Sequence, residues 1–200
     1  MRRFAITHDY LCPFARNAAE VVVRATDADP DGVRADFRAF SLSQVHLEEG
    51  EAPVWAPGAE PRSGVLALQW GLAVRDHLPE RFPAVHLALF AARHDQGRDL
   101  NDPEVLGEAV ASAGVDPDEV EKLVASGRPA AALADDHTWA VDTARVFGVP
   151  TFVSDRRAVF VRLMERPASP EAARVTLDRV LAMVEDWPDL NEFKATAIPR

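Results

Sequence analysis

Apolar positions along this chain of 200 residues alternate between a spacing of two and a helical spacing, and each switch marks an element. Arg3 to Thr7 is a short apolar run that predicts a strand, followed by a loop through His8 and Asp9. From Phe14 onward, Phe14, Ala18, Val21, Val22 and Ala25 share one helical face while Arg16, Asn17, Glu20 and Arg24 lie largely on the other, which predicts a helix ending near Asp27. The Asp27 to Gly32 run is a turn by composition, and Val33 to Leu42 alternates as a half-buried strand does. Strand, helix, strand implies a parallel pair joined by a crossover. Ser43 to Ser63 is rich in Pro, Gly and Glu without a clear period, which predicts a long loop.

The next stretch is helical throughout. Leu66, Trp70, Ala73, Val74 and His77 mark one helix stopped by Pro79, and Val85 to Arg93 predicts another. Asp102-Pro103 opens a helix closed by Gly114, and Asp116-Pro117-Asp118-Glu119 opens the next, which ends at Gly127. From Pro129 a longer helix is expected to run through Leu133, His137, Val141 and Ala144 to Phe147, stopped by Gly148. The period then returns to two. Thr151 to Ser154 and Ala158 to Arg162 predict an antiparallel hairpin, and Ser169-Pro170 starts a helix whose Ala173, Leu177, Val180, Leu181 and Val184 form one stripe before Trp187-Pro188. Residues 1–64 and 148–186 thus read as two parts of one sheet-based unit, 65–147 as an inserted helical subdomain, and 187–200 as a tail that Leu190 and Phe193 dock on the body.

Composition narrows the function. The formal net charge of -10 leaves no extended basic surface for nucleic acid. After Met-Arg-Arg the chain lacks the apolar core of a secretory signal, and no run approaches the length of a membrane span, so a cytoplasmic protein is expected, with no membrane partner. A single cysteine permits no internal disulfide, as suits a reducing compartment.

That cysteine, Cys12, stands immediately before Pro13 and the first helix. Proline suits the first helical position, so Cys12 is placed at the helix N-terminus, where unpaired N–H groups and the helix dipole favour a thiolate. A depressed thiol pKa is therefore expected, the competing reading being a buried, inert cysteine. His8 lies close upstream and is either a hydrogen-bonding partner of the thiolate or a loop histidine in solvent. Trp70 and Trp139 are candidates to line a cleft beside Cys12. Asp135, Asp136 and His137 read as cap and surface, and His86 and His94 lack an acid or thiol at ligand spacing, so no metal site is expected.

The element order and two motifs resemble the DsbA family of thioredoxin-like thiol-disulfide oxidoreductases. Cys12-Pro13-Phe14-Ala15 is similar to its active-site motif, and Gly148-Val149-Pro150-Thr151-Phe152 to its cis-proline loop. The resemblance implies an α/β thioredoxin-like fold with an inserted helical domain, Cys12 as nucleophile, and Pro13, Phe14, Val149, Pro150, Thr151 and His8 around the thiol and its substrate. The Arg93 to Asn101 segment and the tail from Trp187 to Lys194 further resemble the cytoplasmic actinobacterial branch that includes mycothiol-dependent reductases. One departure is decisive for mechanism: the family's second cysteine is replaced by Ala15, so no resolving thiol exists. The resemblance then implies monothiol chemistry with mycothiol or glutathione as co-substrate and a disulfide or electrophilic substrate, and leaves room for a homodimer. Kappa-class glutathione transferases and 2-hydroxychromene-2-carboxylate isomerases, relatives with a monothiol or serine at this helix start, supply a second enzymatic reading. A non-catalytic binding module is the third.

Overall fold

The structure, a computed structural model, describes residues 1–192. Its sheet holds β1 (Arg2–His8), β2 (Val33–Ala39), β3 (Thr151–Val153) and β4 (Ala158–Phe160) in the order β2-β1-β3-β4. β1 pairs parallel with β2 and antiparallel with β3, and β3 and β4 form the antiparallel hairpin. In the central strand the side chains that point inward are large and apolar: Phe4 and Ile6 are buried, and Phe4 stacks on the fully buried Phe152 of β3 with ring centroids 5.7 Å apart.

Helix α1 (Pro13–Ala28) packs along α8 (Pro170–Asp186), which places the apolar stripe from Ala173 to Val184 against Ala18, Val21, Val22 and Ala25 in one core. The helical stretch holds α3 (Val65–His77), α4 (Phe82–His94), α5 (Pro103–Ser112), α6 (Pro117–Ala125) and α7 (Arg128–Thr138), with no strand between residues 65 and 147. Asp102 and Asp116 each accept a hydrogen bond from the backbone N–H two residues on, the capping expected at those helix starts.

Three local expectations are corrected. β2 ends at Ala39, and the start of the expected loop is instead a short helix α2 (Leu42–Val45) whose Ser41 cap accepts from Gln44 N–H at 3.1 Å. α7 does not run on to Phe147: it passes into a π-helical turn (Trp139–Thr143) that ends at Thr143, two residues before Arg145, which has a positive φ of 56°. Asp136 and His137 are not surface groups. Asp136 is 2% exposed and accepts from the Ala39 N–H at 2.9 Å, from Arg38 at 3.0 Å and from Arg75, while His137 Nδ1 accepts from the Ser41 N–H at 3.1 Å. These two side chains join α7 and α3 to the end of β2, so the helical stretch is locked to the sheet through buried polar groups.

The chain after α8 is held by Arg157 in the hairpin turn, whose guanidinium donates to the carbonyls of Trp187, Pro188 and Leu190 at 2.7–2.9 Å. Leu190 is half-buried there, and the expected docking of Phe193 lies outside the described residues.

Candidate functional site

The turn that delivers Cys12 is built by Asp9. One carboxylate oxygen accepts from the Leu11 N–H at 2.8 Å, the other from the Leu42 N–H at 2.7 Å, and the Asp9 carbonyl accepts from the Cys12 N–H at 3.0 Å. Cys12 then has extended backbone angles (φ -91°, ψ 117°) and acts as N-cap of α1, with Pro13 in the first turn and the Cys12 carbonyl accepting from the Arg16 N–H. The expected placement at a helix start is thus present. Pro13 is exposed, Phe14 half-buried, and Ala15, the position of the missing second thiol, is buried.

Across from the thiol stands Val149. The Val149–Pro150 peptide bond is cis, and Cys12 Sγ donates to the Val149 carbonyl at 3.3 Å. The loop is clamped to β1 by the Thr151 N–H donating to Thr7 Oγ1 at 3.1 Å, and closed on itself by Thr151 Oγ1 donating to the Gly148 carbonyl at 2.7 Å. Cys12, Val149, Pro150 and Thr151, 137 residues apart in sequence at the thiol contact, are thereby brought together.

The charge state of the thiol departs from expectation. Burial, at 8% exposure, pushes the Cys12 thiol above its ordinary pKa, the Asp9 carboxylate pushes the same way, and the backbone N–H groups of Ala15 and Phe14 with the Arg162 guanidinium only partly oppose this. The hydrogen bond given to Val149 also favours the protonated form. The helix start acts in the predicted direction, but desolvation outweighs it.

His8 matches neither of its sequence readings. It is 3% exposed at the end of β1, in ring contact with Tyr10, Phe37, His86 and Phe90, and no hydrogen bond joins it to Cys12. Burial and the Arg75 charge lower its pKa to about 3, so it is a neutral core histidine. Its neighbour His86 is also buried and pushed well below the usual range, with Nδ1 sharing a hydrogen bond with the Tyr10 hydroxyl at 2.9 Å. His94 Nε2 lies 2.9 Å from the Tyr10 carbonyl, so both histidines of α4 anchor the loop that carries Cys12. Trp70 is buried at 3% exposure in the helical core, and Trp139 lies under Arg38, with the guanidinium 5.1 Å from its ring centre.

This geometry, a lone N-cap cysteine against a cis-proline loop, coincides with a match of residues 6–166 to the family model described as a DSBA-like thioredoxin domain. The chain belongs to that family. No curated protein matches it. Among solved structures, this DSBA-like chain is similar to a probable DsbA oxidoreductase from Streptomyces coelicolor, at 21% identity over the full length of both chains and a TM-score of 0.63. It is also similar to the cytosolic disulfide reductase DsbM from Pseudomonas aeruginosa, solved with glutathione, at 17% identity over 90% of this chain and 98% of that one, with a TM-score of 0.64. A thioredoxin-like oxidoreductase from Silicibacter pomeroyi follows at 22% identity, 90% and 86% coverage and a TM-score of 0.59.

Two site residues escaped the sequence reading. Asp9 had a signal, since an aspartate placed to cap the turn before an N-cap cysteine is an Asx pattern. Its burial raises its own pKa to about 6. Arg162 had none, because its place beside Phe14 depends on how the chain leaves β4.

Proposed function

We propose that this DSBA-like protein is a monothiol thiol-disulfide oxidoreductase working in the cytoplasm with a small thiol co-substrate, glutathione or mycothiol. In this reading residues 1–64 and 148–186 form the thioredoxin-like unit and 65–147 the helical subdomain that covers it. The deprotonated Cys12 sulfur attacks one sulfur of a substrate disulfide, the S–S bond breaks, and the second sulfur leaves as a thiolate with the bonding electrons. The external thiolate then attacks the Cys12 sulfur of the mixed disulfide and restores the free enzyme. The Phe14 and Ala15 N–H groups favour the Cys12 thiolate when it forms, and the backbone at Val149 and Pro150 offers strand-like pairing to an extended ligand. The observation that carries the proposal is Cys12 Sγ within 3.3 Å of the Val149 carbonyl at the cis-proline loop in a chain without a second cysteine. DsbM, a cytosolic relative in fold solved with glutathione, supports the setting and the co-substrate.

The test is mass spectrometry after exposure to oxidised glutathione. A single adduct at Cys12, released only by free thiol and absent in Cys12→Ser, is expected, and Ala15→Cys should permit an internal disulfide. The binding-module reading is favoured by one observation, the burial of the thiol, which pushes its pKa up. Absence of any adduct across pH 6–10 would establish that reading instead.

A further inference from the structure

Beside the thiol the chain leaves β4 along a doubly anchored path. The Val161 N–H donates to the Pro150 carbonyl at 3.1 Å, and Asn17 of α1 donates through Nδ2 to the Leu163 carbonyl at 2.9 Å. Arg162 stands between these two anchors, so its backbone is tied on one side to the cis-proline loop and on the other to the helix of Cys12. Its guanidinium lies 5.4 Å from the ring centre of Phe14 and 6.0 Å from that of Phe160. A guanidinium over aromatic faces keeps its in-plane N–H donors free for a carboxylate. Arg162 is exposed, and among the described residues no carboxylate pairs with it. By contrast Arg16, Arg38, Arg75, Arg166 and Arg174 all have acidic partners. Phe147, 76% exposed, packs on Phe160 at 5.3 Å between ring centres, so the surface around this cation is apolar. In a chain of net charge -10, an unpaired arginine seated on the second residue after the nucleophile is placed to receive charge from a ligand.

Resting on the oxidoreductase reading, we propose that Arg162 is the specificity-determining residue of the site and selects disulfides and thiols that carry a carboxylate near the sulfur. Glutathione has such groups and mycothiol, which is uncharged, does not. Arg162 receives the carboxylate of the ligand while the ligand's sulfur meets Cys12, and its charge also acts on the thiol itself.

The two effects separate by probe charge. Second-order rates of the Cys12 reaction are measured with three disulfides: anionic 5,5′-dithiobis(2-nitrobenzoate), neutral 4,4′-dithiodipyridine and cationic cystamine. Taking each rate as a ratio of variant to wild type cancels the different leaving groups. Arg162→Gln is expected to slow the anionic probe roughly fivefold more than the neutral one, the size of an exposed charge pair. Arg162→Glu should widen that gap and speed cystamine, and 0.5 M salt should shrink the wild-type preference. An equal change for all three probes, or no salt effect in the wild type, would overturn the inference while leaving the oxidoreductase reading standing. No reaction with any probe would overturn both.

Discussion

Acid should unfold this protein earlier than its carboxylates alone require, because two neutral histidines sit in its core. His8 has an ordinary value of 6.5 when unfolded and is lowered to about 3 in the fold. Its stabilisation is therefore fully present above pH 6.5 and is lost as pH falls, since the unfolded chain takes up a proton that the folded chain refuses. At about 1.4 kcal/mol per pH unit, the loss reaches about 2.7 kcal/mol by pH 4.5. His86, pushed well below the ordinary range and in ring contact with His8 at 4.6 Å, adds a loss of the same sign. Asp9 works the other way. Its carboxyl is raised from 3.8 to about 6, so its ionisation costs stability above that pH, and protonation down to pH 4.5 returns about 2 kcal/mol.

At an m value of about 2 kcal/mol/M, His8 alone lowers the urea midpoint by about 1.4 M between pH 7 and 4.5; Asp9 returns about 1 M of that, and His86 deepens the fall. His8→Leu keeps an apolar side chain in the ring cluster and removes one titrating group. Its midpoint, followed by far-UV circular dichroism, should fall by about 1.4 M less than that of the wild type over the same range, with surface titrations shared by both proteins cancelling in the comparison. A variant with the wild-type pH slope would refute a neutral buried His8.

Other consequences are open to direct measurement. Gly71 of α3 lies so close to the Tyr10 hydroxyl that a Cβ there would overlap it, so Gly71→Ala should lower stability by about 1–3 kcal/mol in chemical unfolding although alanine is the better helix former. Asp136→Asn leaves Arg75 and Arg38 without their shared buried counter-charge and should cost about 3–5 kcal/mol, seen as a fall in thermal midpoint. Asp9→Asn removes a negative charge that disfavours the thiolate, so the inflection of Cys12 alkylation against pH should move down even as the loss of a backbone acceptor lowers stability. Phe152→Ala empties the centre of the sheet core and should cost about 3–5 kcal/mol by the same unfolding assay.

Elements whose period and punctuation agree were legible: α1 behind Pro13, α5 and α6 behind their aspartate caps, and the β3–β4 hairpin all stand where the pattern puts them. What escaped depends on long-range packing. The break of α7 into a π turn leaves no local mark, because Val141 and Ala144 continue the helical period past it. Burial of Asp136 and His137 is invisible in a sequence that presents them as a polar run, since only the approach of β2 and α3 supplies their partners. His8 illustrates the same point. A histidine after a strand reads as a loop residue until Tyr10, His86 and Phe90 close around it.

The thiol shows why a helix start is an incomplete predictor of reactivity. N–H groups of the first turn act on Cys12 in the direction expected from the dipole, yet burial outweighs them. The proton donated to the Val149 carbonyl favours the thiol form as well. The backbone at Val149 and Pro150 is the surface to which the proposed extended ligand adds, so docking there competes for the acceptor that holds the thiol proton. The Phe14 and Ala15 N–H groups belong to the helix and are unchanged by that exchange. Arg162, tied to both sides of the site, likewise keeps its charge at the thiol. The groups that favour the thiolate are thus built into the scaffold, while an acceptor that favours the thiol lies on the path of the proposed ligand.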